Sequence, residues 1–142
     1  MDTPCKLNSY CLSNICTHLD DFPGKAQLYI KNGYFYGLDR WTQTDTYIKV
    51  YSVSKLSGFK YIGRTRTIHD DDRPDFDETF TTEISSKEGS FILEIFDLDY
   101  NSPDDLISRV EINFKDCLKL DVCTKNFGSS RLRYNIIWTP QI

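Results

Sequence analysis

Phe91-Ile92-Leu93-Glu94-Ile95-Phe96-Asp97-Leu98-Asp99-Tyr100-Asn101-Ser102-Pro103-Asp104-Asp105 is the stretch on which the fold of this chain turns. Phe91, Leu93 and Ile95 recur with a period of two, which places them on one side of an extended backbone. The run ends in Asp97 and Asp99, whose carboxylates also point the same way, and a polar loop leads to two further aspartates. A strand that empties into an acidic loop is the expectation. The same alternation appears in Val110, Ile112 and Phe114, and again in Leu132, Tyr134, Ile136 and Trp138, with Trp138 expected in the core. Short runs rich in β-branched and aromatic residues, broken by Gly, Pro, Asn and Asp, predict strands near 26–31, 46–53, 60–68, 78–84, 91–97, 107–114 and 131–138. One short helix is expected around 114–120. Together these predict an all-β antiparallel sandwich, two sheets packed face to face with wet outer sides.

The bulk composition agrees. The chain of 142 residues suits one domain, and nine Tyr, nine Phe and a single Met favour strands over helical bundles. A net charge of -4 argues against a nucleic-acid platform, because nothing offsets repulsion from a phosphate backbone. No apolar run approaches the roughly 20 residues of a bilayer-spanning helix. Residues 1–24, rich in Cys, Asn, Ser and Asp and closing on Pro23-Gly24, read as a leader or linker, with the domain occupying 25–142. The five cysteines, none spaced as CxxC, fit either free thiols in a cytosolic protein or an extracellular chain. Localisation is left open between these two. Cys117 and Cys123 could close a small disulfide loop before the last strand; the alternative is two buried thiols.

The acidic residues carry the chemistry. Asp39 and Asp45 flank a polar stretch that runs straight into a strand, and Asp97, Asp99, Asp104 and Asp105 surround the end of another. If both loops lie at one end of the sandwich, five or more carboxylates crowd together, and their repulsion is costly unless a cation neutralises it. Calcium suits such loops, since it accepts six to eight oxygens in flexible geometry. An EF-hand does not fit: its sixth position, glycine in that motif, is Ser102, and its twelfth, a bidentate glutamate, is Ser108. Catalysis finds no support either. The two histidines are His18 and His69, and no GxSxG, HExxH or phosphate-cradling glycine loop is present, so the chain is not expected to be an enzyme.

Asp39, Asp45 and the following Thr46-Tyr47-Ile48-Lys49-Val50, the run Arg64-Thr65-Arg66-Thr67, the acidic Asp70-Asp71-Asp72, the segment Pro74-Asp75-Phe76-Asp77-Glu78-Thr79-Phe80, and Asp97, Asp99 and Asp105 occur in the order and spacing of the C2 family. Over about residues 26–138 the sequence resembles that family. Gly37-Leu38-Asp39, Thr44-Asp45-Thr46-Tyr47 and Asp104-Asp105 most resemble the C-terminal C2 domain of perforin-like proteins, although Ile107-Ser108 replaces the family's Ile-Gly and nothing resembles a pore-forming segment.

The resemblance implies an eight-stranded C2-type β-sandwich with calcium-binding loops at one end, seven of its strands being located above. It implies calcium held by Asp39, Asp45, Asp97, Asp99 and Asp105, with Asp104 and Asp72 as further candidates, bridging to phospholipid on a membrane surface. Trp41 and Tyr100 fall where membrane-inserting tips would be, and Trp and Tyr favour that interface; for Trp41 the alternative is packing on the sandwich. Lys49, Lys60, Arg64 and Arg66 are candidates for a headgroup-binding face; the alternative is a wet sheet face that is basic for solubility alone, as such faces commonly are. The expected function is calcium-dependent membrane targeting by a monomer, with any lytic activity belonging to a missing partner domain. A calcium-independent protein-interaction module on the same fold is the alternative.

Overall fold

The computed structural model describes residues 9–12, 15–18, 24–35, 44–54, 58–84, 88–117 and 122–140. Ten strands follow one another: β1 (Ser9–Leu12), β2 (Ile15–His18), β3 (Gly24–Tyr34), β4 (Thr46–Ser54), β5 (Gly58–Arg64), β6 (Asp75–Ile84), β7 (Gly89–Asp97), β8 (Asp105–Asn113), β9 (Cys123–Phe127) and β10 (Ser130–Pro140). β1 and β2 form a two-stranded antiparallel sheet, within the stretch read as a leader. The other eight build two antiparallel sheets, ordered β6-β3-β10-β9 and β5-β4-β7-β8. This is the expected C2-type sandwich. Among the described residues no helix is long and apolar enough to cross a membrane.

The core comes from the period-two sets. Ala26, Leu28 and Ile30 of β3, Ile48 and Val50 of β4, Phe91, Leu93 and Ile95 of β7, Val110 and Ile112 of β8, and Leu132 and Ile136 of β10 are all buried. Removing each of the larger side chains from water contributes about 1.5–3 kcal/mol, enough to fix which face of these five strands turns inward. Phe114 packs edge-on against Phe91, and Trp138, partly buried, packs against this core as expected.

Two local expectations are corrected, and the strand left unlocated is found. The strand expected over 60–68 stops at Arg64, because Thr65 turns inward: its amide donates to the Ile48 carbonyl (2.9 Å) and its hydroxyl accepts from the Ile48 amide (3.0 Å). Residues 114–117 form turns where a helix was expected. The eighth sandwich strand is β9, Cys-Thr-Lys-Asn-Phe, whose polar sequence gave no alternation to read. Cys117 and Cys123 are disulfide-bonded, with Cα atoms 6.1 Å apart, and close the connection from β8 into β9.

The outer face of β5-β4-β7-β8 is drier than expected. Tyr47 stacks on Phe96 (centroids 5.3 Å apart) and Tyr51 on Phe59 (4.6 Å), and Ile92, opposite Tyr51, is only 8% exposed. Aromatic cross-strand pairs shield one another from water on this outer face.

Candidate functional site

Antiparallel pairing brings the ends of three connections to one end of the sandwich: the β3–β4 connection, which finishes at Thr44-Asp45, the β5–β6 connection over 65–74, and the β7–β8 connection over 98–104. In the sheet register Thr46 faces Asp97, and Asp97 faces Asp105. Asp45, Asp97 and Asp105 therefore sit on or beside three neighbouring strand ends. Sequence alone offered this only as a condition, and the pairing of β4, β7 and β8 meets it.

The carboxylates tie the loops together. The Asp45 amide donates to Asp97 Oδ1 (3.0 Å), the Leu98 amide to the Asp45 carbonyl (2.8 Å), and the Asp70 amide to Asp45 Oδ1 (2.7 Å). Asp70 adopts φ +51°, a left-handed turn that aspartate tolerates better than most residues and that aims its amide at Asp45. Asp72 Oδ1 accepts from the Thr44 amide (3.1 Å), joining the first two connections.

Within the β7–β8 connection Asp99 closes its own turn. Its two oxygens accept from the Asn101 amide (3.0 Å) and the Ser102 hydroxyl (2.6 Å), and the Ser102 contact is the main reason its carboxyl titrates below the ordinary range. Asp104 accepts from the Tyr47 hydroxyl and from the Asp99 amide (3.0 Å); the tyrosine contact leads in holding its carboxyl low. Burial, followed by this same bond, pushes Tyr47 up to about 12. Two neighbours escaped the sequence reading. Tyr47 positions Asp104, and His69 places Nδ1 3.6 Å from Asp45 Oδ1. The position of His69 directly before Asp70-Asp71-Asp72 was the available signal.

The donors at this end are carboxylate and hydroxyl oxygens with no thiol, a set suited to a hard cation. Among the described residues no three His, Cys, Asp or Glu side chains are arranged as a metal-holding group. Asp99 and Asp104 each have both oxygens engaged in hydrogen bonds within the protein. Asp39 and Trp41 lie outside the described residues. Tyr100 lies in the β7–β8 connection and is 77% exposed.

The basic candidates are not all brought together. Lys49 faces Arg64 across β4 and β5, and the Arg64 guanidinium lies 3.7 Å from the centroid of the Tyr47 ring. Lys60 instead faces Ser52, whose side chain points to the inner side, because the β4–β5 register shifts between Val50 and Tyr51. That one-residue slip puts Lys60 and Arg64 on opposite faces, although an even spacing of four residues along a regular strand would place them on one. Arg66 turns towards β6, 3.8 Å from Glu78 and hydrogen-bonded to the Asp75 carbonyl (3.0 Å).

The family model of the C2 domain matches residues 19–128. Among solved structures, a human GIVD cytosolic phospholipase A2 in complex with methyl gamma-linolenyl fluorophosphonate superposes with a TM-score of 0.69 at 18% identity, covering 85% of this chain and 18% of that one. A C2 domain of a plant extended synaptotagmin 1 gives 0.69 at 11% identity, over 84% and 96% of the two chains. A further C2 domain structure gives 0.63 at 22% identity, over 82% and 98%. At such identities the likeness is one of fold. The chain spans about a fifth of the length of the phospholipase. No curated protein sequence matches significantly.

Proposed function

Because the chain belongs to the C2 domain family, whose members are typically non-catalytic binding modules, we propose that it binds calcium through its acidic end and thereby docks on a phospholipid surface. The observation that supports this most is the register that sets Asp45, Asp97 and Asp105 at three adjacent strand ends, with the exposed Tyr100 in the adjoining β7–β8 connection. In this reading Asp45, Asp97 and Asp105 would hold the ion, with Asp39 and Asp99 as further ligands. Calcium supplies the positive charge that lipid phosphate meets. Asp72 and Asp104 are further candidates, and their bonds to Thr44, Tyr47 and Asp99 hold the loops in place. Trp41 and Tyr100 are proposed as the inserting tips.

The test is sedimentation with anionic vesicles, in calcium and then in chelator. Binding seen only with calcium and lost in Asp97→Asn supports the proposal; Asp97→Asn binding as the parent does would end it.

The second reading, a protein-interaction module that needs no calcium, is favoured by the engagement of Asp99 and Asp104 within the protein and by Phe59, Tyr61 and Leu106 exposed on the outer sheet face. A partner retained in chelator would establish it. A placement beside perforin-like C2 domains, a domain boundary near residue 24 and a monomeric state remain proposals as well, the first resting on Thr44-Asp45-Thr46-Tyr47 and Asp104-Asp105.

A further inference from the structure

On the outer face of β6-β3-β10-β9, Arg131 and Arg133 stand two residues apart on β10 and so project the same way, with Cα atoms about 7 Å apart. β9 places Asn126 opposite Arg131 and Thr124 opposite Arg133, and β3 places Tyr34 and Asn32 on their other side. Thr124, Asn126, Arg131 and Arg133 line a hollow of ≈ 380 Å³. The four cross-strand neighbours are all uncharged, and among the described residues neither arginine forms an ion pair with a carboxylate. The Tyr34 ring holds the Arg131 guanidinium 5.7 Å from its centroid and that of Arg73 5.0 Å away, adding a third cation nearby.

In a chain of net charge -4, two adjacent cations with no carboxylate partner among the described residues repel each other, and side chains on facing strand positions offer neutral hydrogen-bond donors in place of compensation. The guanidinium fork matches tetrahedral oxyanions bidentately, and the Thr124 hydroxyl and Asn126 amide can donate to the oxygens left over. We propose that this hollow is a binding site for a phosphomonoester, with Arg131 and Arg133 meeting the dianion and Thr124 and Asn126 fixing its orientation. Its volume leaves room for a small organic group beyond the phosphate, being near the lower end of ligand-pocket sizes, roughly 300 Å³ upwards. The site lies on a sheet face, uses none of the acidic residues and requires no metal ion. Tyr34 ends β3, so the hollow opens near the acidic end, where the phosphate could come from a lipid headgroup as well as from a soluble compound.

The experiment uses the full chain in chelator, so that its outcome does not depend on the calcium proposal. Inorganic phosphate is titrated while the arginine Nε–H signals are followed by NMR, with sodium chloride at matched ionic strength as control. Saturable shifts in both side chains, weakened about tenfold or more in Arg131→Gln/Arg133→Gln and unchanged in Lys25→Gln, would establish the site. Cosedimentation in chelator with vesicles containing phosphatidic acid, again dependent on both arginines, would assign the source to lipid; phosphate binding without it would assign a soluble ligand. Equal shifts with chloride, or full phosphate binding by the doubly substituted chain with an unchanged melting temperature, would overturn the proposal.

Discussion

Gly89 opens β7 with no space for a methyl group: a Cβ there would lie 2.6 Å from the Val53 carbonyl oxygen and 2.6 Å from Phe114 Cε2. The phenyl ring could shift, but the backbone oxygen is held in the β4–β7 ladder. Gly89→Ala is expected to cost about 1–3 kcal/mol, read as a lowered urea midpoint with unchanged slope. Tyr51 sets a pH limit. Burial, followed by its hydrogen bond to Glu94, pushes it up to about 12, above the ordinary tyrosine value of about 10. A group whose folded pKa is raised contributes fully below its unfolded pKa and loses that contribution as pH climbs through the folded one. Stability should therefore fall between pH about 10 and about 12, and fall less steeply in Tyr51→Phe; equal slopes in urea titrations of the two proteins would refute this. At this scale the sequence showed which residues are acidic or aromatic, but not that Asp104 is bonded to Tyr47, 57 positions away.

At the scale of elements, the informative cases are β5 and β9. β5 lies at a sheet edge, and the shift opposite Val50 and Tyr51 divided the basic residues between its faces; a bulge has no composition of its own in the sequence. β9 pairs with β10 through backbone hydrogen bonds that any sequence can form, so its polar residues concealed it. The Cys117–Cys123 bridge ties its first residue to the turn after β8. Replacing both cysteines by alanine should lose about 2 kcal/mol, the loop-closure value for so short a ring. Amide exchange should quicken first at 124–127, where β9 forms one edge of its sheet. Uniform quickening across both sheets would mean that the bridge braces the whole sandwich rather than this edge.

For the whole molecule, the proposed calcium site makes a thermodynamic prediction apart from lipid. An ion that binds only the folded chain stabilises it by about 2.7 kcal/mol at a hundred times its dissociation constant. The melting temperature should rise with calcium, much less with magnesium, and not at all in Asp97→Asn. A parent protein indifferent to calcium would leave the second reading in possession. The rise should also persist at high salt, whereas general screening of the acidic end would be matched by sodium chloride alone.

The period-two sets in 91–95, 110–114 and 132–138 were enough to predict a two-sheet sandwich, because burying one face of each strand outweighs local propensity. The order of the acidic and aromatic motifs was enough to identify the family. What only the tertiary structure decided is which carboxylates stand together and what each already holds: Asp97 opposite Asp105 through the β7–β8 register, Asp45 tied to Asp70, and Asp99 and Asp104 bonded within the protein. Those relations depend on strand pairing across intervals of up to 57 residues and on single-residue register shifts, and neither leaves a mark in local sequence.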